Sequence, residues 1–103
     1  MKHYVVSVTL PALRDIRQWH QWVHEQQKWA PEQIEEWYAG IWKTIYSLDM
    51  MPERCAVVPE SERFAVPIRQ KLYRSLRILF AVKGATVYVL AVRHTSLNTL
   101  SVD

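Results

Sequence analysis

The spacing of apolar residues changes its period along this chain, and each change marks a new element. Tyr4-Val5-Val6-Ser7-Val8 is a short apolar run that predicts a strand. From Pro11 to about Lys28 the apolar positions Leu13, Ile16, Trp19, His20 and Val23 fall on one side at helical spacing, with Thr9 placed to cap the start. Trp29-Ala30-Pro31 breaks that helix. Pro31 opens a second one, with Glu32, Glu35 and Glu36 near its positive end. Ile34, Trp37, Tyr38, Ile41, Ile45 and Leu48 carry its stripe. So short a connection makes the two helices antiparallel neighbours.

From Ile68 to His94 the period drops to two. Arg74-Ser75 and Lys83-Gly84 punctuate three strands, which predicts a meander. Ile68 and Leu72 alternate with Arg69, Lys71 and Tyr73, while Ile78, Phe80 and Val82 alternate with Arg77, Leu79 and Ala81. An odd-length loop from Arg74 to Leu76 puts both apolar sets on one side, and a two-residue turn at Lys83-Gly84 adds Val87, Val89 and Ala91 to it. Arg69, Lys71, Tyr73, Arg77, Tyr88 and His94 then share the opposite face. The expected architecture is a single α+β domain over residues 1–103. An N-terminal strand and an antiparallel helical hairpin pack on one face of a small antiparallel sheet, completed by the three-strand meander.

Between the helices and the meander, residues 49–67 carry Pro52, Pro59 and Pro67 and read as a surface excursion. A loop of this length needs anchors, for which Met50, Met51, Cys55, Val57 and Val58 are available. Past His94 the tail Thr95 to Asp103 is expected to be frayed or lightly docked.

Charge sharpens the picture. Residues 1–66 are net −2 and residues 67–103 net +5, so the meander is expected to meet an acidic partner, either nucleic acid or an acidic peptide. The tryptophans all lie in the helical hairpin; Trp19 and Trp37 fit the core, whereas Trp22, Trp42 and Tyr46 fall off the stripes and form a candidate partner surface. His20 reads as a core-edge histidine, and His3 and His24 carry no signal. A single cysteine, Cys55, excludes an internal disulfide, and a reducing cytoplasm is the default. No apolar run approaches a membrane span, and the N-terminus lacks a signal-peptide pattern. With Gly40 and Gly84 alone, the chain has no phosphate-binding glycine loop; nor does it show a nucleophile elbow or a metal-ligand motif.

Order and wording together resemble the RelE/ParE toxins of type II toxin–antitoxin (plasmid stabilisation) modules. Leu10-Pro11-Ala12 followed by Asp15-Ile16-Arg17 is similar to that family's first-helix opening. Ser47-Leu48 through Met51-Pro52-Glu53-Arg54-Cys55 to Pro59-Glu60 resembles its loop, and Ile68-Arg69-Gln70, Arg77-Ile78-Leu79-Phe80 and Val87 to His94 resemble its sheet. The likeness covers nearly the whole chain.

The resemblance implies a bacterial cytoplasmic toxin, without cofactor, metal or membrane association, neutralised by a small antitoxin that wraps helices and sheet. Its target is either DNA gyrase, as for ParE-like toxins, or ribosome-bound mRNA, as for RelE-like endonucleases; an inactive binding module is a further option. In the nuclease case Lys71, Arg77 and His94 would hold the scissile phosphate and move protons. Arg69, Tyr73, Arg74, Tyr88 and Arg93 would meet the target, and Trp22, Trp42 and Tyr46 the antitoxin. The chain departs from the RelE-like pattern at Arg74-Ser75-Leu76-Arg77, where a Gly-Arg-Tyr-Arg run is common. Thr95-Ser96-Leu97 replaces the usual glycine and basic residues, and no C-terminal tyrosine is present. These departures tilt the reading toward the gyrase-type toxin.

Overall fold

The computed structural model describes residues 3–95. Strand β1 (Val5–Val8) leads into helix α1 (Leu10–Gln26) and helix α2 (Pro31–Tyr46), and short 3-10 turns fill Ser47–Asp49, Pro52–Arg54 and Pro59–Arg63. Strands β2 (Arg69–Tyr73), β3 (Leu76–Lys83) and β4 (Thr86–His94) complete the described chain. The tail from Ser96 onward lies outside the described residues.

The strands form one sheet in the order β1-β4-β3-β2. The meander is antiparallel as its turns predict, but β1 runs parallel to β4, so the sheet is mixed. A parallel partner needs a long crossover, and the two helices with their loop supply it. Thr9 caps α1 as expected: its Oγ1 accepts from Ala12 N at 3.4 Å and donates to Val89 O at 2.7 Å, which ties the helix start to β4. Both helices pack on one face, where Ile16, Trp37, Ile41 and Ile45 meet Ile78, Phe80, Val87 and Val89.

The expected loop runs along the outer edge of β2. Val58 N donates to Ile68 O at 2.8 Å and Gln70 N to Ala56 O at 3.1 Å, so an otherwise open strand edge is covered. Of the expected anchors, Val58 is buried with Ile68, Leu79, Ala81 and Ala91 in a second cluster on the other face; Met51 and Val57 stay about half exposed. Pro52 is buried as well. Arg69 clamps the loop from above, its Nη1 donating to Glu53 O at 3.0 Å and Cys55 O at 2.7 Å.

The expected sheet faces are overturned, for two physical reasons. The β2–β3 turn is a two-residue loop, not an odd one: Tyr73 pairs with Leu76, and Arg74 takes the left-handed φ of 52°. Lys71 therefore lies beside Ile78 and Arg69 beside Phe80, on the helix-covered side. Strand β3 is buried on both faces from Leu76 to Ala81, so its alternation does not discriminate between registers. The second reason is a β-bulge in β4. Leu79 pairs with Ala91 and Phe80 with Val89, which leaves Leu90 as the extra residue. Beyond it the faces exchange: Val92 and His94 join the helix side, and Ala91 and Arg93 go to the other.

Candidate functional site

The helix-covered face and the uncovered face now hold different halves of the expected basic set. On the helix side lie Arg69, Lys71, Tyr73 and His94; on the uncovered side lie Arg77, Tyr88 and Arg93. Arg77 and His94 are thus on opposite faces, and the three-residue nuclease constellation does not assemble. Lys71 and His94 share a face, but strand spacing and rise place their backbones about 12 Å apart.

Each basic candidate has a structural engagement. Arg77 is buried, its Nη2 donating to Glu60 Oε1 and Oε2 at 3.2 and 3.0 Å and its Nε to Gln70 Oε1 at 2.7 Å. Glu60 is equally buried. Lys71 Nζ donates to Ser47 Oγ at 2.7 Å, at the C-terminal end of α2, where the helix dipole favours a cation. Arg93 Nη1 lies 3.4 Å from Asp15 Oδ1. Tyr73 packs against Gly40 of α2, which has no side chain to obstruct the ring. Arg74 places its guanidinium 5.5 Å from the Tyr73 ring centre.

His94 is positioned by an edge of the sheet. Strand β1 ends at Val8 beside Val89, so the N–H and C=O of Val92 have no strand partner on that side. Side chains of α1 take both: Asp15 Oδ2 accepts from Val92 N, and Trp19 Nε1 donates to Val92 O, each at 2.9 Å. With Trp19 fixed this way, its ring lies 6.0 Å from the His94 ring. Sequence reasoning missed Asp15 and Trp19 as edge caps, because nothing in the local pattern announces where β1 stops.

Two concave surfaces result. At the β2–β3 turn, a cavity of about 260 Å³ is lined by Trp19, Trp22, Trp29 and Trp37, with Arg74 and His94 among its other residues. Trp22 is half exposed there and sets its edge against Trp19 at 6.0 Å. On the uncovered face, a trough of about 550 Å³ runs between Phe64, Val66, Leu90 and Tyr88, with Lys83 and Arg93 beside it. The other expected partner residues form a separate patch on α2. Tyr46 is 55% exposed and stacks on half-buried Trp42 at 5.9 Å. No helix among the described residues is long and apolar enough to cross a membrane.

No family model matches the chain, and no curated protein sequence matches it. Solved structures do. A chain of the chromosomal ParDE toxin–antitoxin system from P. aeruginosa is similar with a TM-score of 0.68 and 21% identity, over 89% of this chain and 96% of that one. A chain of the RelBE2 toxin–antitoxin complex from Mycobacterium tuberculosis is similar with a TM-score of 0.61 and 22% identity, over 91% of this chain and 93% of that one. The chain therefore has the fold of the RelE/ParE toxin superfamily. Both neighbours belong to toxin–antitoxin systems.

Proposed function

We propose that this chain is the growth-inhibiting toxin of a type II toxin–antitoxin module in the bacterial cytoplasm, acting by binding DNA gyrase rather than by cleaving RNA. The burial of Arg77 carries this reading. A nuclease of this kind needs its phosphate-binding cations and its proton donor around one reacting phosphate. Arg77 is instead spent on Glu60 and Gln70, on the face away from Lys71 and His94. Exposed surface remains for binding: Tyr88 at 38% and Leu72 at 57%, with Arg74 and Lys83 at the turns.

The antitoxin is proposed to wrap the molecule, laying an amphipathic acidic segment in the Phe64–Val66–Leu90 trough and contacting Trp22, Trp42 and Tyr46. Burying one such large side chain is worth roughly 1.5–3 kcal/mol, enough to make each residue visible in binding. Expression of the chain alone is expected to slow bacterial growth, with trapped gyrase–DNA cleavage complexes and intact mRNA; a co-expressed antitoxin restores growth. Trp22→Ser and Tyr46→Ser are expected to weaken the antitoxin complex more than they lower the melting temperature. Ribosome-dependent mRNA cleavage that disappears in Lys71→Ala would overturn the gyrase reading in favour of the nuclease.

A further inference from the structure

We propose that the helical hairpin carries a transition-metal site, with Zn²⁺ as its natural class of occupant, built from His20 and His24 of α1 and Glu35 of α2. Their ligand atoms lie within 4.8 Å of one another. His20 Nε2 is 3.3 Å from His24 Nε2 and 3.7 Å from Glu35 Oε1. Zinc bonds of about 2.0–2.2 Å in a tetrahedron put ligand atoms roughly 3.3–3.6 Å apart. Two of the three separations therefore stand close to the edge of a zinc tetrahedron. The third, between His24 and Glu35, is no more than 4.8 Å and closes with a side-chain rotation of exposed Glu35.

The sequence places them there by ordinary helix geometry. His20 and His24 are four residues apart, hence stacked on one face of α1, the same relation that pairs metal-binding histidines on a helix. Glu35 comes from the second turn of α2, across the connection. Tyr38, one turn further along α2, stacks on the His20 ring with centroids 4.2 Å apart and planes inclined by 29°, and this holds the imidazole in orientation. The imidazole pair at 3.3 Å is within hydrogen-bond reach, and Glu35 at 3.7 Å is not. His20 Nε2 faces a second imidazole nitrogen and a carboxylate oxygen at once, and a neutral ring nitrogen offers one proton or one lone pair, not both. A cation serves the three acceptors together.

Two imidazoles and one carboxylate favour Zn²⁺, Ni²⁺ or Cu²⁺ over Mg²⁺ and Ca²⁺, which take oxygen ligands. His24 and Glu35 are exposed, so a fourth position faces solvent. Because the ligands span α1 and α2, a bound ion clips the two helices together. The site stands apart from the toxin reading and does not depend on it.

The test titrates the full chain, free of any histidine tag, with zinc chloride against a chromophoric chelator, and follows thermal unfolding with zinc or magnesium. The expected result is one zinc per chain and a melting temperature raised on the order of 10 °C at a hundredfold excess over the dissociation constant, with no rise in magnesium. His24→Gln and Glu35→Gln, both at exposed positions, should each weaken binding by about tenfold or more and abolish the rise. Cys55→Ser should bind as wild type. The proposal is overturned if no saturable binding occurs, or if Cys55→Ser abolishes it. It is overturned equally if Glu35→Gln binds as wild type while His24→Gln does not, since that leaves a chelate on one helix.

Discussion

Glu60→Ala is the most informative single perturbation, because it tests the role assigned to Arg77. The side chains of Arg77 and Glu60 are 10% and 8% exposed, and both carboxylate oxygens receive the same guanidinium nitrogen. Removing the carboxylate strands a buried cation, with Gln70 as its remaining side-chain acceptor among the contacts above. Breaking a buried pair from one side costs about 3–5 kcal/mol. A domain of this size has about 5–15 kcal/mol in total, and each kilocalorie lowers the melting temperature by about 4–8 °C. Glu60→Ala is thus expected to lose at least about 12 °C. The double variant Glu60→Leu with Arg77→Met removes both charges and should lose much less than the sum of the single variants, with coupling on the order of 2 kcal/mol. Urea unfolding followed by tryptophan fluorescence measures the whole cycle. A Glu60→Ala cost below about 1 kcal/mol would refute the reasoning, since a solvated pair is worth no more than that. The folded double variant carries a second readout. If Arg77 holds structure and does no chemistry, toxicity survives in it.

Gly40→Ala removes a glycine from a helix interior, which alone would stabilise by about 1 kcal/mol. The added Cβ would sit on the Tyr73 ring, so the expected outcome is destabilisation of roughly 1–3 kcal/mol, reversed in a Tyr73→Leu background where space opens. Tyr4 gives a pH prediction: its hydroxyl donates to Glu53 Oε1 at 2.7 Å, and that hydrogen bond, then desolvation and the nearby carboxylate charge, raise the phenol above its ordinary value. The pairing is intact below the unfolded-state value of about 10 and lost as pH rises through the higher folded one, so Glu53→Gln should move phenolate formation to lower pH in an ultraviolet titration.

The elements were legible in the sequence because each rests on local physics: the Ile16–Val23 and Ile34–Ile45 stripes, the Thr9 cap, and a two-residue turn at Gly84. Lys83 pairs with Thr86, however, so that turn is Gly84-Ala85, one place later than expected. The faces of the sheet were not, and the reason lies in β3. A strand with Leu79 and Phe80 both buried gives the same pattern in either register, so its neighbours had to be placed by loop parity. Arg74 defeats that inference by adopting a left-handed φ that only its turn demands. The bulge at Leu90 is equally silent, because Leu90 looks like any strand residue. The His20–His24 spacing was visible all along. A search for metal motifs that expects all ligands on one segment passes over it, since Glu35 joins only through the packing of α2 on α1.

The same bulge decides what the basic residues can do. Without it, His94 would share the parity of Tyr88 and point to the uncovered face, beside Arg77. With it, Val92 turns its backbone to Asp15 and Trp19, and His94 comes to lie against the tryptophan cavity. Arg93 crosses to the other face in exchange and reaches Asp15 around the sheet edge. Arg69, Arg77 and Arg93 are each drawn into carbonyl or carboxylate contacts that fix the loop, the second cluster and α1. Much of the positive charge of the meander is therefore used to close this small domain on itself. Arg74 and Lys83 stand exposed at turns. That arrangement is the ground for proposing a toxin that holds its target rather than cutting it.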